Sequence, residues 1–272
     1  MISSTDWLTV HRGTAPLIVS LPHTGTCIPP ELEPAFVSRA LALRDTDWWI
    51  DQLYGFALGL GATVIRTAIS RSVIDVNRDP SGASLYPGQN STGLCPTTSF
   101  DGRPLYRPGQ EPDAAEIDRR REVYFAPYHA ALKAEIVRLR TAHPHVVLYD
   151  CHSIRSRVPR LFEGELPNFN IGTNGGPTAD ANLATLVENY CNVPGFSRVT
   201  NGRFRGGWIT RDNGDPAHGI HAIQMELACR GYMDETEDDR PGPYSETKAA
   251  PMRAILQPML GALVRWAQTQ SR

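Results

Sequence analysis

The sequence predicts an α/β fold, a three-layer sandwich in which a mixed or mostly parallel central sheet is flanked by helices. Short apolar runs, of the kind that form strands buried on both faces, alternate along the chain with longer segments of helical character. Such alternation is typical of helices packed on a largely parallel sheet. No linker-like stretch divides the 272 residues, which favours a single domain over residues 1–272.

Five short segments are predicted as strands because each is rich in aliphatic or β-branched residues. They are Pro16–Leu21, Ala62–Thr67, Ser72–Asn77, His145–Asp150 and His221–Leu227. The first stops at a Pro-His-Thr-Gly turn, a sequence that ends a buried strand abruptly.

Four longer segments are predicted as helices: Asp45–Leu60, Asp113–Arg140, Thr178–Tyr190 and Ser245–Gln268. The first carries an apolar stripe at helical spacing, made of Trp49, Leu53, Phe56 and Leu60. The second contains Pro127, where a break or kink is expected because proline has no backbone N–H to donate.

Residues 80–112 are rich in Gly, Pro, Ser and Thr and show no regular periodicity. A segment of this length without secondary structure is uncommon in a compact domain and usually carries function, for example as a lid over an active site. We therefore expect a functional loop at 80–112.

Charge and cysteine content exclude several classes of protein. The chain has 27 Lys and Arg against 29 Asp and Glu, so a nucleic-acid partner is not expected. Its 5 cysteines form no Cys-x-x-Cys pair, which argues against a zinc ribbon and a disulfide framework and suits a reducing compartment. No signal peptide and no membrane-spanning run is recognisable. These features predict a cytoplasmic protein with no nucleic-acid or membrane partner, and they leave open whether it is a monomer or a homodimer.

Ionisable side chains stand at the ends of three predicted strands, where ligands bind in open α/β sheets. His23 follows the first strand, His152 follows the fourth, and Glu226 lies near the end of the last. Two imidazoles and a carboxylate suit a catalytic Zn²⁺, which takes three protein ligands and keeps one position open for water. Each histidine taken alone is more often a structural residue.

Acidic residues near these positions leave alternatives open. Asp47, in the first turn of the predicted helix, is a second candidate for the third metal ligand, whereas Asp45 and Asp51 suit a cap and a solvated position. Asp150 either fixes the tautomer of an imidazole or simply closes the strand. A serine-hydrolase interpretation of Ser153 is weak, because no Gly-x-Ser-x-Gly motif occurs.

Arginines are the natural bidentate partners of carboxylates, so several near one crevice would indicate an acidic substrate. The candidates flank an apolar run and a glycine pair, and they are Arg71, Arg78, Arg205 and Arg211. The alternative for each is a surface pair with a neighbouring Asp. His129, after Pro127, projects toward the site or belongs to the packing.

The ordered motifs of the chain resemble the N-formylglutamate amidohydrolase family, which is similar to the zinc carboxypeptidase and aspartoacylase hydrolases. The matching segments run from about residue 10 to residue 240, and they are Ser20–Gly25, Asp45–Trp48, Ser70–Arg78, Pro127–His129, Asp150–Ser156, Gly202–Arg211, His221–Leu227 and Tyr232–Glu235. The chain departs from the family pattern at Trp49, where the family often has His, and at Asp212–Gly214, where it commonly has His-Tyr-Gly.

The resemblance implies a metal-dependent hydrolase that converts N-formyl-L-glutamate and water to formate and L-glutamate in histidine degradation. The implied metal ligands are His23, Asp47 and His152, with Asp45 as the less favoured acidic ligand and Zn²⁺ as the metal ahead of Co²⁺ or Mn²⁺. Glu226 matches the general base.

The remaining candidates are assigned to the substrate. One arginine near the metal is expected to stabilise the oxyanion, and others are expected to hold the two substrate carboxylates. Arg71, also placed among the catalytic residues, and Arg205 are the first choices for the carboxylates, and the further candidate contacts are Arg78, Arg211, His129 and His221. Two alternatives remain open: a deacylase of another N-acyl amino acid, and an inactive module that binds an acidic amino acid.

Overall fold

A computed structural model describes residues 7–270, and a seven-stranded sheet organises them. Residues 1–6, on which the expectation about a signal peptide rests, lie outside this range. The strands are β1 (Leu8–His11), β2 (Leu17–Leu21), β3 (Thr63–Thr67), β4 (Val146–Ile154), β5 (Phe169–Gly172), β6 (Arg198–Thr200) and β7 (Ile220–Ala228).

Strand directions make the sheet mixed, as the sequence predicts. The order across the sheet is β1-β3-β2-β4-β7-β5-β6. The four central strands β3, β2, β4 and β7 run parallel, β1 is antiparallel to β3, and β5 is antiparallel to β7. Since β2, β4 and β7 are neighbours that run the same way, their carboxyl ends lie at one edge of the sheet. Side chains that follow or end these strands therefore approach one another.

Helices cover both faces and complete the three layers. They are α1 (Arg39–Ala42), α2 (Ile50–Leu53), α3 (Ala114–Arg120), α4 (Ala126–Arg140), α5 (Ala181–Tyr190), α6 (Trp208–Asn213) and α7 (Glu246–Thr269). Alternation along β4 assigns the two cores: Tyr149 packs in the cluster that contains α5 and α7, whereas Leu148 packs in the cluster that contains α4. Within residues 7–270 no helix is long and apolar enough to cross a bilayer.

Two predicted elements are wrong, and both lie beside the strand ends. Asp45–Leu60 is no continuous helix: only α2 is α-helical, Gly55–Leu60 is a 3₁₀ helix, and Trp49 before α2 has a left-handed backbone with φ 63°. Ser72–Asn77 is no strand but a series of buried turns. There the Asp75 carboxylate accepts the backbone N–H of Asn77, a local bond that competes with strand pairing.

Other boundaries are close to the prediction. The expected break at Pro127 is confirmed, because a π-helical turn at Arg121–Phe125 separates α3 from α4. His152 lies inside β4 rather than after it, since the strand continues to Ile154. Sequence reasoning missed β1, β5, β6, α1 and α6, which have 3 to 6 residues each and are too short for a clear periodicity.

Candidate metal centre and active site

Three buried side chains from separate parts of the chain bring one potential ligand atom each to a common point. Nδ1 of His152 lies 3.1 Å from Nδ1 of His23 and 3.4 Å from Oδ2 of Asp47, and the His23–Asp47 separation is 3.7 Å. A tetrahedral zinc ion with ligands at about 2.0–2.1 Å needs ligand atoms about 3.3 Å apart. The triad therefore has the donor types and spacing of one face of a zinc tetrahedron.

Backbone contacts place the triad at the strand ends. His23 stands in the turn after β2, and β2 pairs with β4, which carries His152. Asp47 belongs to the irregular segment before α2, and its N–H donates to the carbonyl of His23 at 3.0 Å. The N–H of Ser153 donates to Oδ2 of Asp47 at 3.0 Å. Two backbone hydrogen bonds thus fix Asp47, one from its own N–H and one to its carboxylate.

Each histidine has a carboxylate on its far ring nitrogen. Nε2 of His23 lies 2.7 Å from Oδ1 of Asp75, and Nε2 of His152 lies 2.8 Å from Oδ2 of Asp150. A proton held on Nε2 leaves Nδ1 with a lone pair for a metal ion. Asp150 thus has the place expected of a group that fixes a tautomer. The same position of Asp75 beside His23 was not predicted, because the sequence suggested Asp75 only as a partner of a neighbouring arginine.

The electrostatics of the triad favour a bound cation. Burial alone would raise the pKa of Asp47, but hydrogen bonds with His152 and His23 and the charge of Arg71 lower it well below its usual value. Burial lowers the pKa of His152, but the charge of Asp150 and its hydrogen bond raise that pKa to about 10. Without a metal ion, His152 therefore holds a proton at neutral pH, and this proton supplies the positive charge that a metal ion would otherwise supply. Two imidazoles and a carboxylate are a donor set that fits a divalent cation.

Glu226 lies on β7, directly across from His152 in the register of β4 and β7. Burial raises the pKa of Glu226 to about 7. The charge of His152 lowers this pKa and the charge of Asp47 raises it, so the two charges oppose each other. Nε2 of Gln224 donates to Oε2 of Glu226 at 3.1 Å, and Oε1 of Gln224 accepts the N–H of Gly207 at 2.7 Å. A carboxylate with a pKa near neutrality suits general acid–base chemistry.

A pocket opens beside these groups. Its walls include both histidines, Glu226, three arginines and aromatic side chains, namely His23, His152, Glu226, Gln224, Arg71, Arg78, Arg203, Tyr86, Phe100 and Phe204. Tyr86 and Phe100 come from the segment 80–112, which within the described chain forms only isolated bridges and no helix or strand. The sequence reasoning did not predict Arg203 as a residue of the site and named Arg205, two residues further along, instead.

Two of the expected arginines line this pocket and are already bound to carboxylates. Nη1 of Arg71 donates to Asp47 at 3.2 Å, and its Nη2 donates to Asp75 at 2.8 Å. Arg78 lies 3.5 Å from Asp75 and donates to the carbonyl and hydroxyl of Thr92. Arg71 therefore fixes the carboxylates of both Asp47 and Asp75.

Two further arginines lie outside the pocket, which corrects the expectation that they contact the substrate. Arg205 is exposed at the surface. Arg211 donates to the carbonyl of Gly206 at 2.9 Å and lies 5.1 Å from the ring centroid of Tyr86. Their guanidinium groups are thus committed to solvent or to the loop rather than to the crevice.

The two expected histidine contacts are also placed elsewhere. His129 is buried against Phe125 and bonds the carbonyl of Val76 at 2.8 Å. His221 stands near the start of β7, 2.9 Å from His145, whereas Glu226 is five residues further along the strand, roughly 16 Å away at about 3.3 Å per residue. His129 thus packs inside a helical layer, and His221 lies at the opposite edge of the sheet from Glu226.

The remaining alternatives are resolved by contacts. The Asp45 carboxylate accepts the N–H of Phe100 at 2.7 Å and faces Arg155, so Asp47 and not Asp45 joins the histidines. Asp51 pairs with Arg66 away from the triad. The Ser153 hydroxyl accepts a hydrogen bond from the Tyr232 hydroxyl at 2.7 Å, which gives no support to a serine nucleophile.

Comparison with known proteins points in one direction. A sequence model of the N-formylglutamate amidohydrolase family matches residues 15–233. A protein of Pseudomonas putida named N-formylglutamate deformylase is 45% identical over 260 residues, which cover 95% of this chain and 96% of the relative. A protein of the same name from Pseudomonas aeruginosa is 44% identical over 262 residues, or 96% of this chain and 97% of the relative.

Solved structures share the fold. A crystal structure of N-formylglutamate amidohydrolase from Ralstonia eutropha JMP134 has a TM-score of 0.79 at 24% identity and covers 96% of this chain and 97% of its own. A gene product of Agrobacterium tumefaciens has a TM-score of 0.74 at 18% identity, with 97% of each chain covered. The mixed sheet with its flanking helices is therefore an arrangement that solved proteins adopt over nearly the whole chain.

Proposed function

The chain belongs to the N-formylglutamate amidohydrolase family, and we propose that it hydrolyses N-formyl-L-glutamate to formate and L-glutamate. In this reaction water adds to the formyl carbon, the C–N bond breaks, and a proton passes to the amino group that leaves. The observation that carries the proposal is the buried His23, Asp47 and His152 triad beside Glu226 in an arginine-lined pocket.

The triad would hold one divalent cation, through Nδ1 of each histidine and Oδ2 of Asp47. Zn²⁺ fits two imidazoles and one carboxylate best, and Co²⁺ or Mn²⁺ are the alternatives. When bound, such a cation lowers the pKa of water from ~15.7 to about 7 and polarises the formyl oxygen. Asp75 and Asp150 hold the imidazoles in the tautomer that presents Nδ1.

Glu226 would act as the general base and then as the general acid. Its carboxylate takes the proton of the attacking water, and the same oxygen gives that proton to the nitrogen of glutamate as the C–N bond breaks. Burial raises the pKa of Glu226 to about 7, so the two transfers are nearly balanced near neutral pH. Gln224 orients the carboxylate, because the Gly207 N–H fixes which end of the amide faces it.

Arg71 serves as a positioning residue in this proposal, which revises the expectation that it holds a substrate carboxylate. Both of its terminal nitrogens are bound to carboxylates, those of Asp47 and Asp75. Arg78 also lines the pocket, and we assign it to the substrate's α-carboxylate. The segment 80–112, which supplies Tyr86 and Phe100 to the pocket wall, would be the functional loop of one amidohydrolase domain.

The direct test is release of formate and L-glutamate from N-formyl-L-glutamate by purified protein, before and after treatment with a chelator. Release that the chelator abolishes and Zn²⁺ restores is expected. Release that is insensitive to the chelator would discard the metal site but keep the substrate. No release from folded, zinc-loaded protein would refute the proposed reaction, and a panel of acetyl and succinyl amino acids would then be tested. We place the reaction in the cytoplasm, with a small-molecule substrate and a monomeric or homodimeric enzyme.

A further inference from the structure

The pocket is richer in positive charge than its own carboxylates can balance. Three guanidinium groups line it, those of Arg71, Arg78 and Arg203. Among the described residues that line it, Glu226 is the only carboxylate. Buried or half-buried charges are normally paired, so a surplus of guanidinium groups in a crevice indicates an anionic ligand.

The surplus is located at Arg203. Arg71 and Arg78 both lie within 4 Å of Asp75. In residues 7–270 the Arg203 guanidinium has no carboxylate within 4 Å and donates to backbone carbonyls instead. Arg203 is half-buried, and its recorded acceptors are two backbone carbonyls: Nε donates to Leu161 at 2.8 Å and Nη2 to Asn90 at 2.7 Å. No acceptor within the described chain is recorded for its Nη1 atom.

Aromatic rings hold this guanidinium in place. The Arg203 group lies 5.3 Å from the ring centroid of Tyr86 and 5.3 Å from that of Phe204. The Tyr86 hydroxyl donates to the carbonyl of Gly206 at 3.0 Å, so the ring is fixed as well. Burial lowers the pKa of Arg203, as expected for a cation that lacks a counter-charge. A preorganised guanidinium loses little entropy when it binds a planar carboxylate.

We propose that Arg203 binds the side-chain carboxylate of the substrate and makes the enzyme selective for a dicarboxylic N-formyl amino acid. The inference rests on the proposed function and names the residue that recognises the distal group. Arg78 lies beside Asp75, and Asp75 contacts His23 of the triad. Arg78 is therefore nearer the triad than Arg203 is, and its position suits the α-carboxylate of the substrate. Arg203 contacts neither the triad nor its partner carboxylates, and its place suits the far end of the substrate.

The test compares two substrates of the same shape, N-formyl-L-glutamate and N-formyl-L-glutamine, which differ in the charge of the distal group. In Arg203→Gln, we expect kcat/KM for the glutamate substrate to fall about 10- to 100-fold, mainly through KM, because a charge-assisted hydrogen bond is lost. The value for the glutamine substrate should stay within about 3-fold. Arg203→Lys keeps the charge but not the fork and should lie between the two.

Arg205→Gln is the matched control, since it removes the same charge two residues away from an exposed position. It should leave both substrates unchanged. An unchanged preference for the glutamate substrate in both Arg203 variants would overturn the inference, as would an equal loss for the two substrates in a variant that retains wild-type metal content and melting temperature.

Calorimetric binding of L-glutamate separates this inference from the proposed function. Weaker binding to Arg203→Gln than to wild type, by about 10-fold or more, is expected whether or not the protein turns over the formyl substrate. Equal affinity of the two proteins, or no binding to wild type, would overturn the role of Arg203. Absence of turnover with intact, Arg203-dependent binding would refute only the proposed reaction.

Discussion

Replacement of Glu226 by Gln is expected to abolish turnover and, in the metal-free protein, to increase stability at alkaline pH. The side chain is 6% exposed, and its burial raises the pKa from 4.5 to about 7. Gln has nearly the same shape and its carbonyl oxygen still accepts the hydrogen bond that Gln224 donates. The variant therefore removes a buried charge and little else.

The sign and size of the stability change follow from the raised pKa. Between pH 4.5 and about 7 the folded state binds more protons at Glu226 than the unfolded state does, so the free energy of unfolding falls as pH rises through this window. A shift of about 2.5 units at ~1.4 kcal/mol each corresponds to about 3 kcal/mol of lost stability above pH 7. Glu226→Gln lacks this loss.

Urea denaturation of the chelator-treated proteins at about pH 5 and about pH 8.5 provides the assay. The variant should exceed wild type by about 2–3 kcal/mol more at the higher pH than at the lower. Glu122→Gln, at an exposed position, is the control and should show no such difference. A pH-independent difference for Glu226→Gln would refute the reasoning, and so would turnover within about 10-fold of wild type, because loss of an acid–base group usually costs two to four decades of kcat.

Two further predictions concern the metal and the pH profile. Asp75→Asn should weaken zinc binding by about 10- to 100-fold in competition with a chromophoric chelator, because Asp75 holds Nε2 of His23; affinity equal to that of the exposed-site control Asp118→Asn would contradict this role. In wild type, kcat/KM should rise with pH toward about 7, since Glu226 must be deprotonated to accept the water proton and burial raises its pKa to about that value. A bound cation moves this limb lower, so a limb well above pH 7 would exclude Glu226 as the base.

Much of the candidate site could be predicted because parallel strands order it. His23, His152 and Glu226 follow or end β2, β4 and β7, and neighbouring parallel strands bring their carboxyl ends to one edge. Short apolar runs alone located these strands, so the meeting of the three side chains follows from topology. The same reasoning does not place His221 in the site, because His221 lies at the start of β7 and therefore at the other edge of the sheet.

The loops could not be predicted in this way. Arg203 and Arg205 differ by two residues in a segment without helix or strand, where no period says which side chain faces inward. Their directions are set by contacts from distant loops: the carbonyls of Leu161 and Asn90 hold Arg203. Gly207 comes so close to Asn77 that an added Cβ would overlap the Asn77 side chain. Such tertiary contacts leave no local signal in the sequence.

The irregular path of the chain before α2 explains why the helix predicted over residues 45–60 does not form as one continuous element. In a continuous helix over 45–60, Asp47 would sit on the first turn and share a face with Asp51, which pairs with Arg66 away from the triad. Instead the chain turns at Trp49, whose left-handed backbone (φ 63°) is unfavourable for a bulky residue. The indole Nε1 donates to the carbonyl of Gly242 at 2.9 Å and helps to hold this conformation. The Asp47 N–H two residues earlier donates to the carbonyl of His23, so the strain at Trp49 and the position of the Asp47 carboxylate are two parts of one arrangement.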